Sequence, residues 1–197
     1  EHNSNLADMR YQYYIINKPY NMLSQFSREA GHPSLADLQF SFPGDVYPVG
    51  RLDSDSEGLL ILTNDPQLNQ KLLNPSHKHK RTYLVQVEGN FNHEAMQKLS
   101  QGVQLSINGT KHSTLPAQIN ILSEPPVIWE RSAPVRYRKN IPTSWIEVTL
   151  TEGKNRQVRR MTAAVGFPTL RLVRIAIEKL TLNNLQPGEV KEIDKTI

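Results

Sequence analysis

The chain has 197 residues, 38% of them hydrophobic, with no cysteine and a formal net charge of +4. That is enough apolar material for one large domain or two small lobes, and the missing cysteines exclude disulfides, iron–sulfur clusters and thiolate zinc sites. No apolar run is long enough to span a membrane, the polar start Glu1-His2-Asn3-Ser4-Asn5 is unlike a signal peptide, and a cytoplasmic protein fits best.

Residues 1–9 read as a disordered tail or a trimmed remnant, and 10–197 as the folded domain. Tyr11–Asn17 is rich in aromatic and β-branched residues and predicts a strand; a turn at Asn17-Lys18-Pro19-Tyr20-Asn21 follows, and Met22–Gln25 reads as a short second strand. Ser34 is placed to cap a short helix through Leu38. Tyr47-Pro48-Val49 leads into the acidic turn Gly50–Gly58, and Gly58–Thr63 is uniformly apolar, which predicts a strand covered on both faces. Asp65 as N-cap and Pro66 at the first helical position open a helix to about Leu73, with Leu68, Leu72 and Leu73 as its apolar face.

Thr82–Glu88 predicts a strand, and Asn92 caps a helix over His93–Gln101 that stops at Gly102. Asn108-Gly109 sits between Val103–Ile107 and the segment from Lys111, the strongest two-residue hairpin signal. Ala117–Leu122 and Trp145–Thr151 read as strands, separated by a long segment, Ser123–Ser144, broken by four prolines (Pro125, Pro126, Pro134, Pro142). Asn155–Val165 predicts a helix with Val158, Met161, Thr162 and Val165 toward the core and Arg156, Arg159 and Arg160 on the other side. Gly166 and Pro168 end it, and Leu170–Ile177 and Lys179–Leu182 are the last predicted strands. Hairpins without a strict βαβ rhythm make the expected class α+β, with a mixed, largely antiparallel sheet flanked by helices.

Charge is unevenly spread. Between Gly153 and Ile177 the ionisable residues are all basic (Lys154, Arg156, Arg159, Arg160, Arg171, Arg174), His77-Lys78-His79-Lys80-Arg81 is a second cluster, and Arg131, Arg136, Arg138 and Lys139 form a third. Any one of these is ordinary solvated surface; three together favour a polyanionic partner.

The acidic turn carries Asp53, Asp55 and Glu57 beside Arg51. Its start resembles a calcium loop, but the twelfth position, where such a loop needs a bidentate Glu, is Asn64, and a strand rather than a helix follows. Two carboxylates two residues apart would tend to share a proton, which suits aspartic-protease chemistry better than glycoside cleavage. For Asp55 and Glu57 the ordinary reading is turn capping or pairing with lysine. Asp53, between Leu52 and the turn, is the better candidate for a single nucleophile or base held ionised by an arginine. His77-x-His79 lies in a basic run that would repel a metal, so no metal site is expected.

Gly50-Arg51-Leu52-Asp53, Glu57–Asp65, Arg81-Thr82-Tyr83-Leu84-Val85 and Glu152–Met161 occur in that order, with Lys18-Pro19 before them and Leu170–Arg174 after. Together they closely resemble the RsuA/RluB/RluE/RluF family of ribosomal-RNA pseudouridine synthases, over roughly residues 12 to 192. The resemblance implies the pseudouridine synthase fold with an active-site cleft across its sheet. It also implies isomerisation of a uridine in large-subunit (23S) ribosomal RNA, without metal or cofactor. It makes Asp53 the essential aspartate, acting at C1′ or C2′, Tyr83 the ring that packs on the target uracil, and Arg159 the cation paired with the aspartate. By the same resemblance Arg51 matches an arginine that can fill the gap left by the flipped base. Many members carry an N-terminal S4-type RNA-binding domain; strand one begins here by Tyr11, so 10–197 is expected to be a catalytic domain without one. Related enzymes commonly read Ile-Gly where this chain has Ile177-Glu178.

The expected RNA contacts are Arg51, Lys80, Arg81, Lys154, Arg156 and Arg160, with Arg136, Arg138 and Lys139 on the long loop, where Trp129 and Tyr137 interleave with cations. The expected partner is ribosomal RNA, naked or in an assembly intermediate, with no membrane, and the protein is expected to be a monomer. The competing class is a non-catalytic RNA-binding or ribosome-assembly protein on the same fold; a nucleoside hydrolase is a distant third.

Overall fold

The computed structural model describes residues 11–195, so the tail expected over 1–9 lies outside the described residues. The chain divides into two compact units, one formed by the segments up to His77 and from Lys179 onward, the other by Lys78–Glu178. The first unit opens with β1 (Tyr13–Lys18), β2 (Tyr47–Val49), β3 (Glu57–Thr63) and α1 (Pro66–Leu73). The second runs β4 (Arg81–Glu88), α2 (His93–Gln101), β5 (Gln104–Ile107), β6 (Thr110–Ser113), β7 (Gln118–Ile121), β8 (Thr143–Leu150), α3 (Gln157–Ala164) and β9 (Thr169–Ile177). The chain then returns to the first unit with β10 (Leu180–Thr181) and β11 (Val190–Ile193). Strands that pair antiparallel beside a few helices make this the α+β fold expected.

In the first unit β1 lies between β11 and β3, antiparallel to both, with Tyr13 opposite Ile193 on one side and Thr63 on the other. Every residue of β1 and of β3 is buried, which is why β3 shows a continuous apolar run instead of alternation. Tyr14 and Ile16 from β1 pack with Leu60 and Leu62 from β3 and with Met22, Leu35, Leu38 and Val46 from the loops between. Ser34 caps a short 3-10 helix at Leu35–Asp37 in a reciprocal box, its side chain accepting from Ala36 N–H while the Asp37 carboxylate accepts from Ser34 N–H. Asp65 caps α1 as expected and also accepts from the Tyr13 hydroxyl at 2.5 Å.

Met22–Gln25 is not a strand. Ser24 turns inward instead, its hydroxyl donating to Leu52 C=O at 2.8 Å and accepting from Leu52 N–H at 3.0 Å, so the segment clamps the acidic turn and builds no ladder.

The second unit orders its strands β9-β4-β8-β7, with β5 and β6 as a separate hairpin closed at Asn108-Gly109. Its core is Val85 and Val87 of β4, Ile146, Val148 and Leu150 of β8, Leu99 of α2, and Val158 and Met161 of α3. Gly102 ends α2 at φ 106°, and a Cβ there would lie 2.4 Å from Thr114 C=O, so the close approach and the backbone angle both require glycine. The last helix starts later than its pattern predicts: Arg156 is its N-cap, in the left-handed region at φ 51°, and α3 spans Gln157–Ala164. The residues between Ile121 and Thr143 form neither helix nor strand.

Candidate functional site

The acidic turn is held from below by the Lys18–Ser24 segment. Ser56 N–H bonds to Asp53 C=O at 3.0 Å and closes the turn, while Asn21 N–H, from a residue at φ 74°, bonds to Ser54 C=O at 2.7 Å. Leu52, just before Asp53, is gripped at both backbone groups by Ser24. Asp53 is thus half-buried on a backbone fixed on either side of it. Arg51 beside it is exposed and donates to the Gln25 side chain at 3.1 Å.

Under the turn lies a fully buried lysine. The Lys18 ammonium donates to Pro19 C=O at 2.8 Å, Met22 C=O at 2.7 Å and Ser54 C=O at 3.3 Å, one acceptor for each N–H. Burial draws its pKa down to about 7, against the opposing pull of Glu57, Asp55 and Asp53. Glu57, itself buried, therefore serves the electrostatics beneath the turn and is not a solvated turn residue. Lys18 was visible in the sequence only through the Lys-Pro pair; a lysine in a strand of buried aromatic and aliphatic residues is the signal that could have found it.

In the second unit Tyr83 sits in β4, half-buried against the core and opposite Arg174 of β9 and Val148 of β8. A register shift between Thr82 and Tyr83 re-aims the strand there. The buried Arg174 guanidinium hydrogen-bonds the Tyr83 hydroxyl, and burial holds its pKa below the usual arginine value, with Tyr83 working the other way and Arg81 adding to the depression. The basic run after Gly153 is thus not a single surface: Arg171 and Arg174 are buried. Charge counting alone could not separate them from the exposed cations.

Arg159 lies half-buried on α3. Lys154 and Arg156 are exposed at the start of that helix. The Arg160 side chain crosses to the hairpin, donating to Asn155 C=O at 2.9 Å, the Asn155 side chain at 3.0 Å and Ser106 C=O at 3.2 Å. Glu152 ties the same two elements, accepting from Leu115 N–H at 2.9 Å and Gln157 Nε2 at 2.7 Å and lying 3.1 Å from His112 Nε2. Lys80 is exposed, and Arg81 donates to His79 C=O at 3.3 Å. On the long loop Arg136, Arg138 and Lys139 are exposed, with Arg138 3.2 Å from Glu88. Arg131, by contrast, is a brace, bonded to Ala133, Pro134 and Leu170 carbonyls.

Glu178 adopts the left-handed conformation glycine favours, at φ 51°. Its carboxylate accepts from Lys80 N–H at 2.8 Å and lies 3.3 Å from His79 Nδ1, and its own N–H bonds Lys80 C=O at 2.7 Å. Those bonds offset the strain and fix the basic segment before β4.

A family profile described as RNA pseudouridylate synthase matches residues 12–164. The ribosomal large subunit pseudouridine synthase E of Vibrio parahaemolyticus is 52% identical over 91% of this chain and 72% of its own length. Its counterpart in Xanthomonas axonopodis pv. citri is 51% identical over 88% of this chain and 89% of its own. A solved structure described as a pseudouridylate synthase superposes with a TM-score of 0.76 at 28% identity, covering 93% of this chain and 70% of that one. The chain belongs to the RNA pseudouridylate synthase family, and it is an isomerase. Among the described residues no helix is long and apolar enough to cross a membrane.

Proposed function

We propose that this protein converts one uridine of large-subunit (23S) ribosomal RNA to pseudouridine in the cytoplasm, as a monomer, acting on naked RNA or an assembly intermediate. The reaction breaks the C1′–N1 bond, turns the uracil and forms a C1′–C5 bond, after which C5 gives up its proton and N1 takes one up; atoms and electrons then balance within the nucleotide, so no cofactor is called for. The observation that carries the reading is Asp53: a half-buried carboxylate on a turn clamped by Ser24, Asn21 and Lys18, in a chain about half identical to large-subunit synthases. A backbone fixed on both sides holds such a carboxylate ready for C1′ or C2′.

The target base must first leave its stack, at a cost of about a few kcal/mol. Arg51, exposed beside Asp53, fills the space the base vacates. Tyr83 offers its ring to the uracil, a contact worth roughly 1–3 kcal/mol, and Arg159 supplies positive charge to the aspartate's chemistry; both roles are carried by the family resemblance. Lys80, Arg81, Lys154, Arg156, Arg160 and the loop cations Arg136, Arg138 and Lys139 hold phosphates.

The test is pseudouridine mapping on ribosomal RNA exposed to wild type and to Asp53→Asn. Wild type makes pseudouridine at one site, and the variant binds RNA but makes none. Equal modification by both removes Asp53 from the chemistry. Binding by both with modification by neither supports the non-catalytic alternative.

A further inference from the structure

The second unit contains a cleft of about 930 Å³ beneath the proline-broken loop, within the usual size range of ligand sites. The loop is braced over it. Arg131 spans from the loop to Leu170, and Arg171 donates to Trp129 C=O at 2.9 Å with its guanidinium 5.9 Å from the Trp129 ring. Those two cations thus have structural work. Among aliphatic, proline and hydroxyl side chains, the cleft is also lined by aromatic, amide and acidic ones: Trp145, Tyr137, Gln86, Glu124 and Glu130.

Gln86 is buried, and its amide nitrogen is 3.4 Å from the Tyr137 hydroxyl and 3.3 Å from Thr143 Oγ1. With the amide nitrogen directed at those two oxygens, the Gln86 carbonyl oxygen is the end left to accept from a ligand edge. The carboxylates of Glu124 and Glu130 would repel a phosphate but accept hydrogen bonds from an amine. Phosphates have partners outside the cleft, in exposed Arg136 and Lys139.

We propose that this cleft is a second nucleotide site, which takes an unpaired, amino-bearing base of the substrate RNA. The base lies with its ring against Trp145 and Tyr137 and its edge on Gln86 and Glu130. This rests on the reading that the protein acts on RNA and adds a means of choosing it. Flat aromatic faces accept any base, and the acceptors discriminate against uracil, which has no exocyclic amine.

The experiment is competition binding by fluorescence anisotropy with adenylate, cytidylate and uridylate hexanucleotides. Wild type binds the adenylate and cytidylate oligomers about fivefold to tenfold more tightly than the uridylate one. Tyr137→Ala, at a side chain 60% exposed and so tolerant of truncation, weakens all three about fivefold or more. Glu130→Ala removes the preference while leaving uridylate binding unchanged. On ribosomal RNA, Tyr137→Ala raises KM and keeps kcat. No preference in wild type, or a preference that survives Glu130→Ala, overturns the proposal, as does Tyr137→Ala with wild-type affinity. Wild type that forms pseudouridine yet shows no preference sinks this inference alone. Wild type with the preference but no pseudouridine sinks the synthase reading alone.

Discussion

Replacing Lys18 by methionine keeps most of the side-chain volume and removes the charge, so it isolates the electrostatics beneath the acidic turn. Lys18 titrates at about 7 in the folded protein against an ordinary 10.5. Below both values folded and unfolded chains each carry the proton and the full cost of burying it is felt. Between them the unfolded chain binds more protons, so stability rises with pH and levels off above the unfolded value. From pH 6 to pH 9 proton linkage gives a rise of about 3 kcal/mol, or about 6–12 °C in melting temperature for a chain this size. Lys18→Met lacks this rise. It also leaves the Pro19, Met22 and Ser54 carbonyls without their donor, a deficit of about 1–3 kcal/mol for each that stays dry. Urea unfolding of both proteins across that window should therefore show the wild-type advantage growing by about 3 kcal/mol toward pH 9. A constant gap would mean that the three carbonyl bonds keep Lys18 charged throughout, and a gap that shrinks with pH would refute the reasoning outright.

Gly102→Ala should destabilise the second unit by about 2 kcal/mol or more, because the new Cβ meets Thr114 C=O at 2.4 Å in a left-handed backbone; thermal melting checks it, and a wild-type melting point would contradict the close approach. Burial pushes the Asp65 carboxyl up, but bonds from Tyr13, Gln67 and Lys195 outweigh it and hold its pKa below 3.8. Its contribution is thus full at neutral pH and lost as pH falls through the folded value. Asp65→Asn should cost about 1–3 kcal/mol at pH 7, a difference that acid titration of the two proteins should show shrinking below about pH 4. Alanine at Arg136, Arg138 and Lys139 together should weaken RNA binding and flatten its salt dependence; an unchanged salt slope would remove the loop from the RNA-binding surface.

Much of the fold was legible because the local signals agree with one another. Asp65-Pro66 and Asn92 mark helix starts, Gly102 marks a stop, and the run from Gly58 shows a strand covered on both faces; each stands where its chemistry predicts. The failures came where side chains do something other than extend a ladder. Met22–Gln25 looks extended but spends Ser24 on Leu52. Val190–Ile193 has alternation too short to read, and only its pairing with β1 makes it a strand. Arg156, expected inside a helix, is its left-handed cap. In the candidate site, the carboxylate proposed for the chemistry, Asp53, stood out by composition. The burial of Lys18, Arg171 and Arg174 did not, because a charge inside a core is set by tertiary partners that no local pattern shows.

The pairing of β11 with β1 also bears on synthesis. The second unit is one continuous stretch, so it can fold as soon as Glu178 has been made. The first unit cannot close its sheet until Val190–Ile193 arrives to lie beside Tyr13–Ile16. Until then β1 presents a row of unsatisfied backbone groups, among apolar side chains, to any strand that passes. Growing at about 5–20 residues per second, the chain stays in that state for about 9–35 s. A nascent protein of this design is open to mispairing along β1 until Val190–Ile193 has been made.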